Sequence, residues 1–294
     1  MRELTHPDRV MDAASGVTKL ELARYAQRVA RWMAPHLAGR PAAVVRAPDG
    51  LDGEVFFQKN AGRRIDTDDD GIETVAIDPR HDMFLVTPPA GLWSAVQWNV
   101  IEFHTVGAVA TRLEAPDRVV FDLDPGDGVA WPMLVAAARV VRALLLDLGL
   151  RPFLKTSGGR GLHLVAPVRP GPSWAACKGF AKGVADHLAD ARPELFVAVS
   201  GPDHRVGRIF VDYLRNQPGA TTVAAWSPRA RPGLPVSVPV DWDELQPGGP
   251  PLRWTVRDVV AARAQGNAPW RGYGAARRSL AGARSRLTRL TGIG

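Results

Sequence analysis

Val119-Val120-Phe121-Asp122-Leu123-Asp124-Pro125-Gly126 carries an apolar run into two carboxylates set two residues apart. Read as a β-strand, the run alternates its side chains between faces. Val119, Phe121 and Leu123 then face a core, while Asp122 and Asp124 share the other side. Two like charges side by side repel unless something positive neutralises them. A divalent cation is the usual remedy, and phosphate chemistry its usual business. Asp before Pro-Gly is also ordinary turn chemistry, so the pair alone leaves both readings open.

Around this strand the pattern is mixed. Thr18-Lys19-Leu20-Glu21 reads as a capping box. Leu22, Tyr25, Val29 and Trp32 follow at helical spacing, and Pro35 is expected to help stop that helix. Residues 42–46 and 54–59 read as strands joined at Pro48-Asp49-Gly50. A β segment over 74–86 is interrupted at Asp78-Pro79, and 93–102 is expected to be helical. After the strand at 118–124 a helix spans about 131–148 and ends at Gly149. Strands at 152–156 and 162–166 flank a glycine loop. A helix over 174–189, a strand over 208–214 and a last helix over 256–264 complete the reading. Hairpins mixed with helices favour α+β over a doubly wound sheet.

Two further stretches carry chemistry. In Lys155-Thr156-Ser157-Gly158-Gly159-Arg160-Gly161-Leu162-His163 the glycines let backbone N–H groups approach an anion closely. Ser157 adds a hydroxyl, Lys155 and Arg160 add charge, and His163 could donate to a phosphate or sugar oxygen. By itself the stretch also reads as a glycine-rich hairpin. In Ile209-Phe210-Val211-Asp212-Tyr213-Leu214-Arg215-Asn216 a lone Asp inside an apolar strand is costly unless paired or bound to metal. Asp212 is thus a candidate third ligand, or the partner of an arginine such as Arg205 or Arg208. Three carboxylates with a phosphate loop between them suit Mg²⁺ or Mn²⁺ and nucleotidyl transfer. A rival exists: Phe121-Asp122-Leu123-Asp124 also resembles the opening of haloacid-dehalogenase-type phosphatases, although those place it near the N-terminus and follow it with Gly-Thr.

The 294 residues, 46% apolar and 23% charged, can bury a full core. Cys177 is the sole cysteine, which excludes an intrachain disulfide and a Cys-rich zinc site and fits a reducing cytoplasm. The first residues contain no apolar stretch of the secretory kind, and no run reaches the length of a membrane span. The net charge is +7, and six arginines without an acid lie in 271–294, leaving the rest near neutral. Asp66, Asp68, Asp69, Asp70 and Glu73 cluster acid elsewhere. The basic tail reads either as a disordered arm or as one that follows nucleic-acid phosphates.

Taken together, these motifs resemble the polymerase domain of bacterial ATP-dependent DNA ligase D, the non-homologous end-joining polymerase of the archaeo-eukaryotic primase superfamily. The resemblance rests on Asp122-Leu123-Asp124-Pro125-Gly126, Lys155 through His163 and Phe210 through Asn216. It extends to Gly39-Arg40-Pro41, Arg46 through Gly50, Phe56-Phe57-Gln58-Lys59, Glu102-Phe103-His104 and Ser227 through Gly233. It implies an α+β, primase-like core of two α/β modules, one RRM-like, flanking an active-site cleft, over about residues 1–270 with the tail beyond.

The resemblance implies nucleotide addition to DNA ends or gaps, with ribonucleotides preferred, from NTP or dNTP and with two Mn²⁺ or Mg²⁺ ions. Asp122, Asp124 and Asp212 match the metal-binding acids. Ser157, Gly158, Gly159 and His163 match the triphosphate loop, and His104, Arg205 and Arg229 match nucleotide contacts. Arg9 and Lys19 match residues that recognise a 5′-phosphate, and Phe56, Phe57 and Lys59 lie with the DNA contacts. Adjacent strand residues face opposite ways, so at least one of the two phenylalanines must pack in the core. The implied partners are gapped, overhanging or 5′-phosphorylated DNA, a Ku-like end-binding protein and a separate ATP-dependent ligase, since no ligase or nuclease domain is expected in this sequence. A cytoplasmic, nucleoid-associated monomer is expected. Three departures bear on specificity: His6 stands where asparagine is typical, Arg9 where lysine is, and Trp226 where tyrosine is.

Overall fold

The computed structural model describes residues 3–61 and 70–292. The acids Asp66, Asp68 and Asp69 lie outside them. In chain order come β1 (Val10–Asp12), β2 (Val17–Thr18), α1 (Lys19–Leu37), β3 (Ala42–Arg46) and β4 (Phe56–Gln58). β5 (Ile72–Asp78), β6 (His81–Val86), α2 (Ala90–Gln97), β7 (Val100–Val106) and β8 (Arg118–Pro125) follow. Then come α3 (Trp131–Asp147), β9 (Phe153–Thr156), β10 (Leu162–Pro167), α4 (Trp174–Ala191), β11 (Phe196–Val197) and β12 (Ile209–Asp212). β13 (Thr221–Val223), β14 (Pro239–Val240), α5 (Val259–Ala262) and α6 (Leu280–Thr291) close the chain.

The chain divides into two compact units. Unit 1 is drawn from Met1–Leu113, Thr221–Val238 and Arg253–Gly266, and unit 2 from Glu114–Ala220, Pro239–Leu252 and Asn267–Gly294. Unit 1 holds an antiparallel sheet in the order β13-β7-β3-β6-β5, with β4 also paired to β3. Helix α1 starts where the sequence says it should: Thr18 N–H donates to Glu21 at 2.9 Å and Glu21 N–H to Thr18 Oγ1 at 3.2 Å. Its stripe of Leu22, Tyr25, Val29 and Trp32 is buried.

Unit 2 holds a sheet in the order β11-β12-β8-β10-β9-β14, antiparallel except for the β11–β12 pair. Val119, Phe121 and Leu123 are fully buried. Phe121 meets Phe180 of α4 edge-on at 6.5 Å, so the helical layer covers the face opposite the two acids. On the acid face Val120 is buried by Phe153, Val165 and Trp270, and Tyr273 stacks on Trp270 at 5.1 Å. Helix α4 also carries Cys177, wholly enclosed.

Several expectations shift. Pro35 lies inside α1, which runs on to Leu37; a proline so near the end removes one N–H from the last turns without breaking the rest. The helix expected over 93–102 is α2, which stops at Gln97, and β7 begins at Val100. Asn99, with φ +58, turns the chain between them. The strand expected over 208–214 ends at Asp212, because its Oδ1 accepts Leu214 N–H at 2.8 Å and starts a 3₁₀ turn over Leu214–Asn216. The helix over 256–264 contracts to the single turn α5. Residues 271–292 are not a loose arm: α6 buries Leu280, Ala283 and Leu287 within unit 2.

Candidate active site

In unit 2 the strand register builds a row of polar residues. Asp122 lies directly opposite Asp212 of β12 on one side and His163 of β10 on the other. His163 in turn lies opposite Lys155 of β9. Cross-strand partners share a face with Cβ atoms about 5 Å apart, so Asp212, Asp122, His163 and Lys155 form one line, and Asp124 sits two residues along β8. His163 Nε2 is 3.3 Å from Asp122 Oδ1.

Arginines hold these acids. Arg215 Nη2 is 2.6 Å from Asp212 Oδ2, and its Nε is 3.8 Å from Asp122 Oδ2. Arg205 pairs with Asp124. The partner of Asp212 is therefore Arg215, not Arg205 or Arg208 as the sequence suggested. Burial pushes the Asp122 carboxyl up; Arg215 opposes this, and the charges of Asp212 and Asp124 add to it, leaving it at about 7. Among the described residues, no group of three or more His, Cys, Asp or Glu is arranged to hold a metal ion. The donor set nevertheless suits a hard divalent cation: three oxygen-bearing side chains on paired strands, one of them disfavoured as an anion by burial and by the two acids beside it. Asp122, Asp124 and Asp212 would supply the ligands, with Arg215 and Arg205 giving way.

The glycine loop abuts β8. Ser157 Oγ accepts N–H groups from Gly159 and Gly161, both at 3.1 Å, and Ser157 N–H donates to Gly161 O at 3.0 Å. Gly158 takes φ +71, the left-handed region that glycine tolerates. A Cβ on Gly161 would lie 2.6 Å from Leu123 O, so glycine is what lets the loop close on the acid strand. Arg160 is tied to Asp127 at 3.0 Å and to Gly126 O at 3.1 Å.

Unit 1 holds a second constellation. His104 Nε2 and Arg229 Nε both meet Glu102 Oε2, at 2.6 and 2.8 Å, and Ala230 N–H donates to Oε1 at 2.7 Å. Burial pushes the Glu102 carboxyl up, but the His104 hydrogen bond, the Arg229 and His104 charges and the Ala230 amide outweigh it and hold it below its ordinary value. Neither phenylalanine packs in the core as expected: Phe57 is 52% exposed with its ring edge-on to His104 at 5.5 Å, while Phe56 lies only half-buried, beneath Arg46. Lys59 is half-buried on the same stretch.

Arg9 and Lys19 make a third group in unit 1. Arg9 donates to Pro48 O, and the buried Lys19 donates to Gln97 O at 2.8 Å. Burial, then the Arg9 charge, pull the Lys19 ammonium down to about 8. Two cations share this corner. Trp226 belongs to the core rather than to any pocket: it is fully buried, 4.9 Å from Trp32, and its carbonyl accepts the Tyr25 hydroxyl at 2.7 Å.

Arg215 and Glu102 lay within quoted motifs but were given no role from the sequence. Glu102 repeats the cue used for Asp212, a lone acid in an apolar strand, and could have been found by it.

The family described as LigD, primase-polymerase domain, matches residues 18–270. The chain belongs to this family and is thereby a polymerase-class nucleotidyltransferase domain, which displaces the phosphatase reading of Asp122 and Asp124. It is similar to the multifunctional non-homologous end joining protein LigD of Pseudomonas aeruginosa, 45% identical over 96% of this chain and 34% of that protein. The Mycolicibacterium smegmatis LigD is 36% identical over 88% of this chain and 34% of its own length. The chain thus spans about a third of the length of the curated relatives it matches. In structure it resembles the polymerase domain from Mycobacterium tuberculosis ligase D in complex with DNA, with TM-score 0.84 and 32% identity over 93% of this chain and 98% of that one. No helix among the described residues is long and apolar enough to cross a membrane.

Proposed function

We propose that this domain adds nucleotides, ribonucleotides by preference, to the 3′ ends of broken or gapped DNA in non-homologous end joining. The row Asp212–Asp122–His163, with Asp124 beside it, is the observation that carries the reading. Divalent ions held by Asp122, Asp124 and Asp212 would neutralise charge on the attacking and leaving oxygens. The chain's own part is placement. His163 meets the Asp122 carboxylate from one side and, next to the glycine loop, would suit a triphosphate oxygen held there. Ser157 fixes that loop by accepting its amides. His104 and Arg229, kept in charge balance by Glu102, suit the incoming nucleotide, and Arg205 is a further candidate contact. The exposed Phe57 ring suits a base, worth about 1–3 kcal/mol of stacking. Arg9 and Lys19 suit a 5′-phosphate; arginine keeps the charge where lysine is typical and can bind phosphate bidentately. The Mycobacterium tuberculosis polymerase domain is a complex with DNA, and the relatives are end-joining proteins. A Ku-like protein and a separate ligase are the proposed collaborators.

The test is extension of a primer across a gap with a 5′-phosphate, using NTP or dNTP with Mn²⁺ or Mg²⁺. Asp124→Ala is expected to abolish extension while DNA binding survives. Unimpaired extension by that variant would remove the mechanism.

A further inference from the structure

From Val259 to the C-terminus the sequence has seven arginines and no carboxylate side chain. We propose that α6 and the turn before it form a second nucleic-acid surface, which grips the phosphate backbone of duplex DNA. The proposal rests on the DNA-end reading above and adds to it a binding face beyond the 18–270 span of the family match.

The helix is anchored by an apolar stripe. Leu280, Ala283 and Leu287 are buried, and Leu287 packs so closely on α4 that a Cβ on Gly183 would lie 3.1 Å from its Cδ2. Since α4 presents Phe180 to Phe121 of the sheet, α6 lies on the side of unit 2 away from Asp122 and Asp124. Arg277, Arg278, Arg284, Arg286 and Arg289 are all exposed. At about 100° per residue, Arg284 and Arg286 flank the buried stripe on either side and Arg289 lies opposite it. Any approach to the outer surface of the helix therefore meets positive charge.

Little neutralises that charge. Among the described residues the carboxylate paired with this set is Asp117, 3.6 Å from Arg277. Arg286 donates to Leu148 O at 3.0 Å, and Arg278 to the carbonyls of Ala275 and Arg277, bonds that steady a guanidinium without cancelling it. On α4, Asp186 is taken by Lys182 at 2.7 Å.

Helix stability does not account for the arginines. A cation in the last turn, such as Arg289, suits the macrodipole, but Arg277 and Arg278 precede the helix at its positive end and Arg284 lies beyond the reach of the favourable last turn. A protein partner is disfavoured because, among the described residues, Leu290 is the one large apolar side chain exposed on the helix, and protein interfaces depend on buried apolar anchors. Guanidinium forks without apolar company match phosphates.

The experiment measures binding of a blunt duplex with 5′-hydroxyl ends across a salt series, on the full chain. The variants are Arg284→Gln with Arg289→Gln, and the charge-keeping pair Arg284→Lys with Arg289→Lys. Among the described residues neither arginine makes an ion pair, so both double variants should melt as the wild type does. The Gln pair is expected to flatten the slope of log affinity against log salt by about 1.8, near 0.9 for each phosphate no longer neutralised. The Lys pair should keep the slope. An unchanged slope and affinity in the Gln pair overturns the proposal, as does an equal loss in both pairs. Loss of binding to polyglutamate with duplex binding intact would assign the face to an acidic protein instead and also overturn it. Nucleotide addition at saturating gapped DNA should be unaffected in the Gln pair. A wild type that binds duplex through this face yet adds no nucleotide would sink the proposed function and leave this surface standing.

Discussion

Asp122 stands between a carboxylate and an imidazole in one row of the sheet, and burial there, more than either neighbour, sets its titration. Its pKa of about 7 lies above the ordinary carboxylate value, so the folded protein holds a proton that the unfolded chain has lost. Stability then falls as pH rises from about 4 through 7. Asp122→Asn is expected to be more stable than wild type at pH 8, by on the order of 2–4 kcal/mol, with the gap closing toward pH 4. Urea unfolding at both ends of that range checks it; a gap independent of pH would mean that the carboxylate is not shifted. Glu102 works through its neighbours. Glu102→Gln keeps the shape but removes the charge that balances His104 and Arg229. It is expected to raise KM for the nucleotide about tenfold with kcat little changed, the scale of one charge-assisted hydrogen bond. At this scale the sequence exposed Asp122, Asp124 and Asp212 because strand alternation singles out an acid among apolar neighbours. Arg215 and Glu102 were quoted within motifs but given no role, because their significance lies in the partners that folding brings to them, Asp122 for Arg215 and Arg229 for Glu102.

Strand β8 is held in place by a side chain from the next element of the site. Asn216 Oδ1 accepts Val120 N–H at 2.8 Å and its Nδ2 donates to Val120 O at 2.7 Å, two residues from Asp122. Asn216→Ala would strand a buried donor and acceptor and is expected to cost about 2–4 kcal/mol. Extension activity should drop with it while the isolated-nucleotide affinity of unit 1 residues holds, as read by calorimetry and primer extension. The start of α1 was legible because its capping box is local chemistry. The end of α2 was not, because a left-handed Asn99 leaves no periodic trace. Nor was α6, whose three buried residues give a faint stripe among arginines.

The chain passes between the two units five times, so neither unit is a continuous stretch of sequence. A sequence reading finds linkers by composition: the Pro/Gly runs before Thr221 and Arg253 mark two of these crossings, while those after Leu113 and Val238 have no such mark. Unit 2 depends on late residues: Trp270 covers Val120 and donates to Leu154 O at 2.7 Å. A chain ended at residue 252 is expected to lose cooperative unfolding of unit 2, visible as a broadened urea transition. Cys177 turns the same closure into a clock. It is the molecule's sole thiol, it is enclosed in α4, and burial pushes it up to about 12. A thiol so protonated cannot react in place, so its labelling rate counts how often this part of the fold opens, one chemical event per opening.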